Sequence, residues 1–137
     1  MMINRTTWQV VLLWCLAVAP VGAADFDGSK SLICSANEVA DCGVFEGCQR
    51  ISPDTVNLPR FLRIDFETKE IKGDGRTTAI QNMSQAEGQI FMQGVQGDRA
   101  WSVALSTETG DITGTVAGDG YGFVVFGACA TLESLGS

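Results

Sequence analysis

Hydrophobic and polar residues alternate in two segments near the C-terminus, Arg99–Ser106 and Asp111–Ala117. Successive side chains of a β-strand point to opposite faces, so this period of two predicts two strands, each with one buried face. The side chains expected on the buried face are Trp101, Val103, Leu105, Ile112, Gly114 and Val116. Thr107–Gly110 and Gly118–Gly120 are polar, glycine-containing segments typical of hairpin turns, and they connect these strands into a predicted meander.

The last strand of this meander, Tyr121–Thr131, is apolar on both faces. Phe123 and Val125 lie on one face and other large apolar residues on the opposite face, as in a strand covered from both sides. One interpretation is a central strand whose outer face is covered by the C-terminal residues Leu132 and Leu135. The other interpretation is a surface for a partner or a second copy of the chain. The candidate binding surface consists of Tyr121, Val124 and Phe126.

Shorter apolar or alternating runs precede the meander, separated by Gly, Asp and Pro turn signals. The predicted strands are Ser31–Asp41, Cys48–Ser52, Phe61–Glu67, Glu70–Lys72, Arg76–Ile80 and Gln89–Val95. Ser52-Pro53 predicts a single helical turn that Pro59 ends. We interpret Asp25–Lys30 as a polar lead-in and Asn82–Gly88 as a polar connection.

Many short strands at regular spacing predict an all-β fold. Because the hairpins are consecutive, we favour a small antiparallel up-and-down β-barrel of about eight strands with two disulfides, and a β-sandwich is the alternative. A barrel this small is expected to be filled by its own side chains. The predicted core residues are Leu32, Leu62, Ile64, Phe66, Ile90, Met92, Trp101, Val103, Leu105, Ile112, Val116, Phe123 and Val125.

The N-terminal segment has the layout of a secretory signal peptide. Arg5 supplies a positive charge, Trp8–Ala19 is an uncharged apolar run, and small residues lead to Ala23 and Ala24. The apolar run is short for a membrane span, which takes about 20 residues. We therefore predict a signal peptide over 1–24, a single domain over 25–137, and a periplasmic or secreted protein that meets a membrane only through its export signal.

The predicted mature chain keeps an even number of cysteines, which indicates disulfides in an exported domain. We favour Cys42–Cys48, because the short Gly43–Gly47 segment can turn the chain between them, and this leaves Cys34–Cys129 to join the first strand to the last. The latter pair would place the two ends of the chain side by side and close the sheet. A metal site is not expected, because the chain has no Cys-x-x-Cys and no histidine.

Charge and composition exclude several functions. Without Arg5 the chain has a net charge of −8, which disfavours nucleic acid and anionic membranes. The absence of histidine removes the usual general base, and paired cysteines leave no thiolate nucleophile. We interpret the carboxylates as turn and surface residues and predict no enzymatic activity and no cofactor. The carboxylates considered are Asp65, Glu67, Asp74, Asp111 and Asp119.

Four segments resemble those of small exported bacterial β-rich proteins: FDGSKSLIC, VNLPRFLRIDF, GDRAWSVALSTETG and AGDGYGFVVFGAC. This resemblance implies export and a compact β fold, and it brings no functional residues. A fainter likeness is to the periplasmic inhibitors of C-type lysozyme, which carry a Ser-Gly…Tyr motif and a later Lys-Gly motif. Gly118 and Tyr121 are similar to the first motif, whereas Lys72-Gly73 precedes it, the reverse of the order in that family.

Two functions are consistent with these features. The first is a binding module, protein-binding or inhibitory, in the cell envelope, with the two-faced last strand and the acidic surface as its basis. The second is a carrier of a small apolar ligand inside the barrel. Its basis is Gly114, which shares a face with Ile112 and Val116 and can leave room beside Trp101.

Overall fold

The protein is described by a computed structural model that covers residues 25–136; the predicted signal peptide over 1–24 and Ser137 lie outside the described residues. Nearly all of its regular structure is β-strand, with one short 3-10 helix at Pro53–Val56 and one short α-helix, α1, at Leu132–Leu135. The strands are β1 (Leu32–Gly43), β2 (Gly47–Ile51), β3 (Phe61–Asp65), β4 (Glu70–Gly73), β5 (Arg76–Ala79), β6 (Asn82–Ala86), β7 (Gln89–Gln96), β8 (Arg99–Ser106), β9 (Asp111–Gly118) and β10 (Tyr121–Thr131).

The strands form one ten-stranded antiparallel sheet that curls into a half-barrel. The order across the sheet is β5-β4-β3-β1-β10-β9-β8-β7-β6, and β2 pairs with β1 off this path. Except where β1 joins β3 and β10, neighbours in the sheet are also neighbours in the chain, as short hairpin turns require. The predicted all-β antiparallel fold with two disulfides is confirmed.

The first and last strands are paired along their whole length. Leu32 lies opposite Thr131 and Gly43 lies opposite Tyr121, with one β-bulge between Ala36 and Glu38. Cys34 stands directly opposite Cys129 and is bonded to it, with 3.9 Å between the two Cα atoms. The second predicted disulfide, Cys42–Cys48, crosses the β1–β2 hairpin.

The two strands at the ends of the sheet order, β5 and β6, are consecutive in the chain. The Ile80 N–H donates to the Lys69 carbonyl beside β4, and the Gln81 N–H donates to the Gln93 carbonyl in β7. The chain therefore changes its hydrogen-bonding partner within these two residues. In this way a single run of polypeptide links the two ends of the curled sheet.

One end of the half-barrel, which we call the closed end, is filled by side chains. Its core continues to the cavity wall through Ile71 and Ile112 and contains Leu32, Cys34, Ile64, Phe66, Ile71, Ile80, Ile90, Met92, Leu105 and Ile112. Phe26 packs against this core, so the interpretation of Asp25–Lys30 as a merely polar lead-in is wrong. Gly110, at φ 76°, allows this packing, because a Cβ there would lie 2.6 Å from the Phe26 ring.

Three local predictions were wrong. Asn82–Ala86 is strand β6, although it was interpreted as a connection, and its side chains are all exposed. Leu132 and Leu135 are exposed and do not bury the outer face of β10, on which Phe126 is 46% exposed. The predicted helical turn after Ser52 is present as the 3-10 helix, but the prediction of its end was wrong, because it ends at Asn57 in the left-handed conformation (φ 54°), before Pro59 is reached.

Candidate functional site

A cavity of about 580 Å³ occupies the other end of the half-barrel, which we call the open end. Its wall is mainly apolar, and the apolar side chains come from β3, β4, β8, β9, β10 and the segment that follows the 3-10 helix. Polar and charged side chains of β5 and the β7–β8 turn complete the lining. The expectation of an interior filled by side chains is therefore wrong for this end of the molecule. The apolar wall residues include Leu58, Leu62, Ile71, Trp101, Val103, Ile112, Val116, Phe123 and Val125.

The cavity explains why part of the predicted core is only half-buried. Nine of the thirteen predicted core residues are buried, and the other four are partly buried. Each of those four lines the cavity; they are Leu62, Trp101, Val103 and Val116. Their side chains point into the half-barrel, as their alternation predicts. They face the cavity, whereas inward-pointing side chains at the closed end contact other side chains.

Gly114 contributes directly to this space. A Cβ built at this position would be 3.6 Å from both the Ser102 carbonyl oxygen and Val103, which is ordinary van der Waals contact. The position therefore has room for a side chain that would extend into the cavity. The sequence hypothesis that Gly114 leaves room beside Trp101 agrees with this geometry, since both residues line the cavity.

Trp101 is held in place by a hydrogen bond from a different part of the sheet. Its indole Nε1 donates to Thr78 Oγ1 at 3.1 Å, which connects β8 to β5. Gly94 makes this position accessible to the ring, because a Cβ there would lie 2.5 Å from the Ala79 carbonyl oxygen and would clash with the indole. The single tryptophan of residues 25–137 is thus fixed in the cavity wall.

The rim of the cavity carries charge. Arg76, Asp98 and Arg99 are its charged lining residues, so the rim has a net positive charge. Arg99 lies over the ring of Tyr121, with its Cζ 5.4 Å from the ring centroid, a cation–π contact. Tyr121 packs in turn against Gly118, where a Cβ would meet the ring at 2.5 Å.

The predicted binding surface is divided by the structure. Tyr121 packs beside the cavity rim, and its buried Oη has no hydrogen-bond partner among the described residues. Val124 is half-buried on the outer face of β10, and Phe126 is exposed on the same face. Tyr121 therefore contacts the rim through Arg99 without lining the cavity, whereas Val124 and Phe126 lie on the outside of the half-barrel.

The β1–β2 hairpin presents a second exposed apolar feature that sequence reasoning did not single out. Val44 is 58% exposed, and Phe45 is fully exposed with φ 67° at the hairpin tip. The Cys42–Cys48 disulfide crosses the hairpin directly below this tip. The signal available in the sequence was the large apolar pair Val44-Phe45 inside a short cysteine-closed turn.

The carboxylates do not converge on one place. Asp65 is in β3, Asp111 begins β9, and Asp74 and Asp119 lie in two different turns. The Thr68 N–H donates to the Asp65 carboxylate and holds the pKa of that group below its ordinary value. Among residues 25–136, no group of three His, Cys, Asp or Glu side chains is arranged to hold a metal ion.

No family model, curated protein or solved structure matches this chain. Within residues 25–136, the helices are too short and insufficiently apolar to cross a bilayer.

Proposed function

We propose that the protein is a non-enzymatic binding protein that carries a small apolar molecule in the cavity at its open end. The observation that supports this proposal is the cavity itself, about 580 Å³ of largely apolar space. Small-molecule sites in proteins typically enclose about 300–1,000 Å³, lined by hydrophobic side chains with a few polar groups. An unfilled apolar space of this size costs packing energy, which an apolar ligand restores.

We also propose that the protein works outside the cytoplasm, in the periplasm or as a secreted protein. The two disulfides are consistent with an oxidising compartment, because thiols are kept reduced in the cytosol. The predicted signal peptide provides the second line of support.

The cavity can be tested with Trp101 as the reporter. In a full chain carrying Trp8→Phe and Trp14→Phe, Trp101 is the only tryptophan. The neutral apolar probe N-phenyl-1-naphthylamine is expected to bind in the cavity, to quench the emission of Trp101 and to become fluorescent itself. Isothermal titration of the same pair would give the stoichiometry, which is expected to be one to one.

A matched pair of variants locates the probe. Gly114→Leu is expected to abolish binding, because the new side chain occupies the cavity without a backbone clash. Thr113→Leu adds leucine to the same strand on the exposed outer face and should leave binding unchanged. Equal probe binding by both variants, or no response in the parent chain, would contradict the proposed function.

The second candidate function is protein binding or inhibition in the cell envelope. It is favoured by the fully exposed Phe45 at the tip of the disulfide-closed hairpin, since aromatic residues, phenylalanine included, are enriched in protein–protein interfaces. The resemblance to lysozyme inhibitors makes a C-type lysozyme the partner to assay. Inhibition that Phe45→Ser removes and Gly114→Leu preserves would support this function, whereas full lysozyme activity at saturating protein would eliminate the inhibitory candidate.

A further inference from the structure

The rim of the cavity differs in charge from the rest of the molecule. The predicted mature chain has a net charge of −8, yet within residues 25–136 Asp98 is the one carboxylate that lines the cavity, beside Arg76 and Arg99. Asp74 and Asp119 lie in turns at the same end but do not line it. The apolar space therefore opens past a locally cationic rim.

The guanidinium of Arg76 is held in place by one hydrogen bond, and its other N–H donors are available to a ligand. Its Nη2 donates to the Asn57 carbonyl at 2.5 Å, which holds the side chain against the segment after the 3-10 helix. Within the described residues, Arg76 forms no ion pair with a carboxylate. A guanidinium has five N–H donors, so most of those of Arg76 are free to meet a ligand.

Arg99 likewise forms no strong ion pair. Its Nε lies 3.8 Å from Oδ1 of Asp98, whose side chain is 88% exposed, and an ion pair this open to water contributes little. The face of Tyr121 supports the guanidinium from one side. The charge of Arg99 is therefore held at the rim by packing and is only weakly neutralised.

Below the rim, few polar groups are available for a ligand. Thr78 accepts the hydrogen bond of Trp101, and the hydroxyls of Ser102 and Thr115 are hydrogen-bonded to each other. Apolar side chains from five strands form most of the remaining wall. A molecule that satisfies both regions has an apolar tail and a single anionic head. Buried in this way, the tail needs no hydrogen bonds, whereas the head gains charge-assisted ones.

We propose that the ligand is a single-chain amphipathic anion, with its tail in the cavity beside Trp101 and its carboxylate or phosphate head between Arg76 and Arg99. This inference rests on the proposed carrier function and adds the chemical class of the ligand. The net charge of the domain repels an anion at long range, and the two arginines at the rim supply the local attraction that binds it.

The test compares ligands that share one tail and differ in the head. Decanoate, decyl phosphate, 1-decanol and decylamine are titrated below their aggregation concentrations into the chain carrying Trp8→Phe and Trp14→Phe. Decanoate or decyl phosphate is expected to bind about tenfold more tightly than 1-decanol. The reason is that its head group forms a charge-assisted hydrogen bond to a partly exposed arginine, which the alcohol lacks. The protonated decylamine is expected to bind most weakly.

Variants identify the head-group contacts. Arg76→Gln and Arg99→Gln are each expected to weaken the anionic ligand by about five- to tenfold and to leave 1-decanol unchanged. Arg60→Gln is the control, because Arg60 is an exposed arginine that pairs with Asp54 and does not line the cavity. Unchanged 1-decanol affinity also shows that each variant is folded.

The outcomes separate this inference from the carrier function. Equal affinities for 1-decanol and the anions, or equal loss of both in the arginine variants, would overturn the anionic head while the cavity function stands. Tightest binding of decylamine would overturn it as well. Failure of all four ligands, together with no effect of Gly114→Leu on the neutral probe, would refute the carrier function and the inference together.

Discussion

The two ends of the half-barrel are built from the same strands and have opposite interiors. At the closed end, Phe26 of the Asp25–Lys30 segment packs against the buried core, which includes Phe66. At the open end, Trp101 and Val116 face a cavity. The ends thus differ in what covers them rather than in the strands themselves.

Each end also has its own disulfide. Cys34, of the Cys34–Cys129 pair, belongs to the buried core of the closed end and is only 1% exposed. The Cys42–Cys48 pair lies in the hairpin that extends at the open end, and Cys48 is exposed. The larger buried core lies at the closed end, and a smaller one of Ala36, Val39, Phe123 and Val125 adjoins the cavity, which Phe123 and Val125 line. We therefore expect the closed end to contribute more of the stability of the fold, and the open end to admit a ligand. Three predictions examine this division.

The largest effect is expected from the disulfides. The double variant Cys34→Ala with Cys129→Ala removes a crosslink between residues 95 apart and should lower the free energy of unfolding by about 4–5 kcal/mol. The matched variant Cys42→Ala with Cys48→Ala removes one that spans six residues and should cost about 2 kcal/mol. Equilibrium denaturation in guanidinium measures both, and equal losses would contradict the division.

A smaller effect is expected from one leucine at each end. Leu105→Ala, at a fully buried position of the closed end, should cost about 3 kcal/mol because it leaves an unfilled space. Leu62→Ala, on the cavity wall, should cost about 1 kcal/mol because that side chain already lacks neighbours on one side. Thermal unfolding of the two variants gives the comparison, and a greater loss for Leu62→Ala would show that the cavity end supports the fold.

The smallest effect is expected from two exposed aspartates, one at each end. The Thr68 N–H lowers the pKa of Asp65, and the Arg60 guanidinium lowers the pKa of Asp54, in both cases below 3.8. A carboxyl with a depressed pKa stabilises the fold at pH above its ordinary value and loses that contribution as the pH falls through its folded pKa. The melting temperature should therefore decline slightly below pH 3.8, and Asp65→Asn or Asp54→Asn should each reduce the decline. If both variants show the same decline as the parent chain, ionisable groups other than Asp54 and Asp65 cause it.

The strands of the C-terminal meander could be predicted closely from the sequence, because alternation and glycine turns coincide there. The predicted bounds of β8 and β10 match the structure. Strand β6 could not be predicted, since Asn82–Ala86 is exposed throughout and has no apolar face to create a period. Phe26 was missed for a related reason, because a single aromatic residue in a polar segment shows no periodicity.

The cavity was harder to predict than the strands around it. Alternation indicates which face of a sheet a side chain such as Val103 occupies, but it carries no information about the distance to the opposite wall. That distance depends on the curvature of the sheet and on which residues cover its end. Gly114 was the one sequence signal for the cavity, and the same glycine is equally compatible with a filled core.

The pairing of β1 with β10 has a consequence for how the chain matures. Synthesis delivers Cys34 long before Cys129, whereas Cys42 and Cys48 emerge together and are close in sequence. During that interval the thiols nearest to Cys34 in the chain are those of Cys42 and Cys48, which are not its partners. Correct oxidation therefore has to wait until the final strand is made, and thiol–disulfide exchange must correct any premature bond.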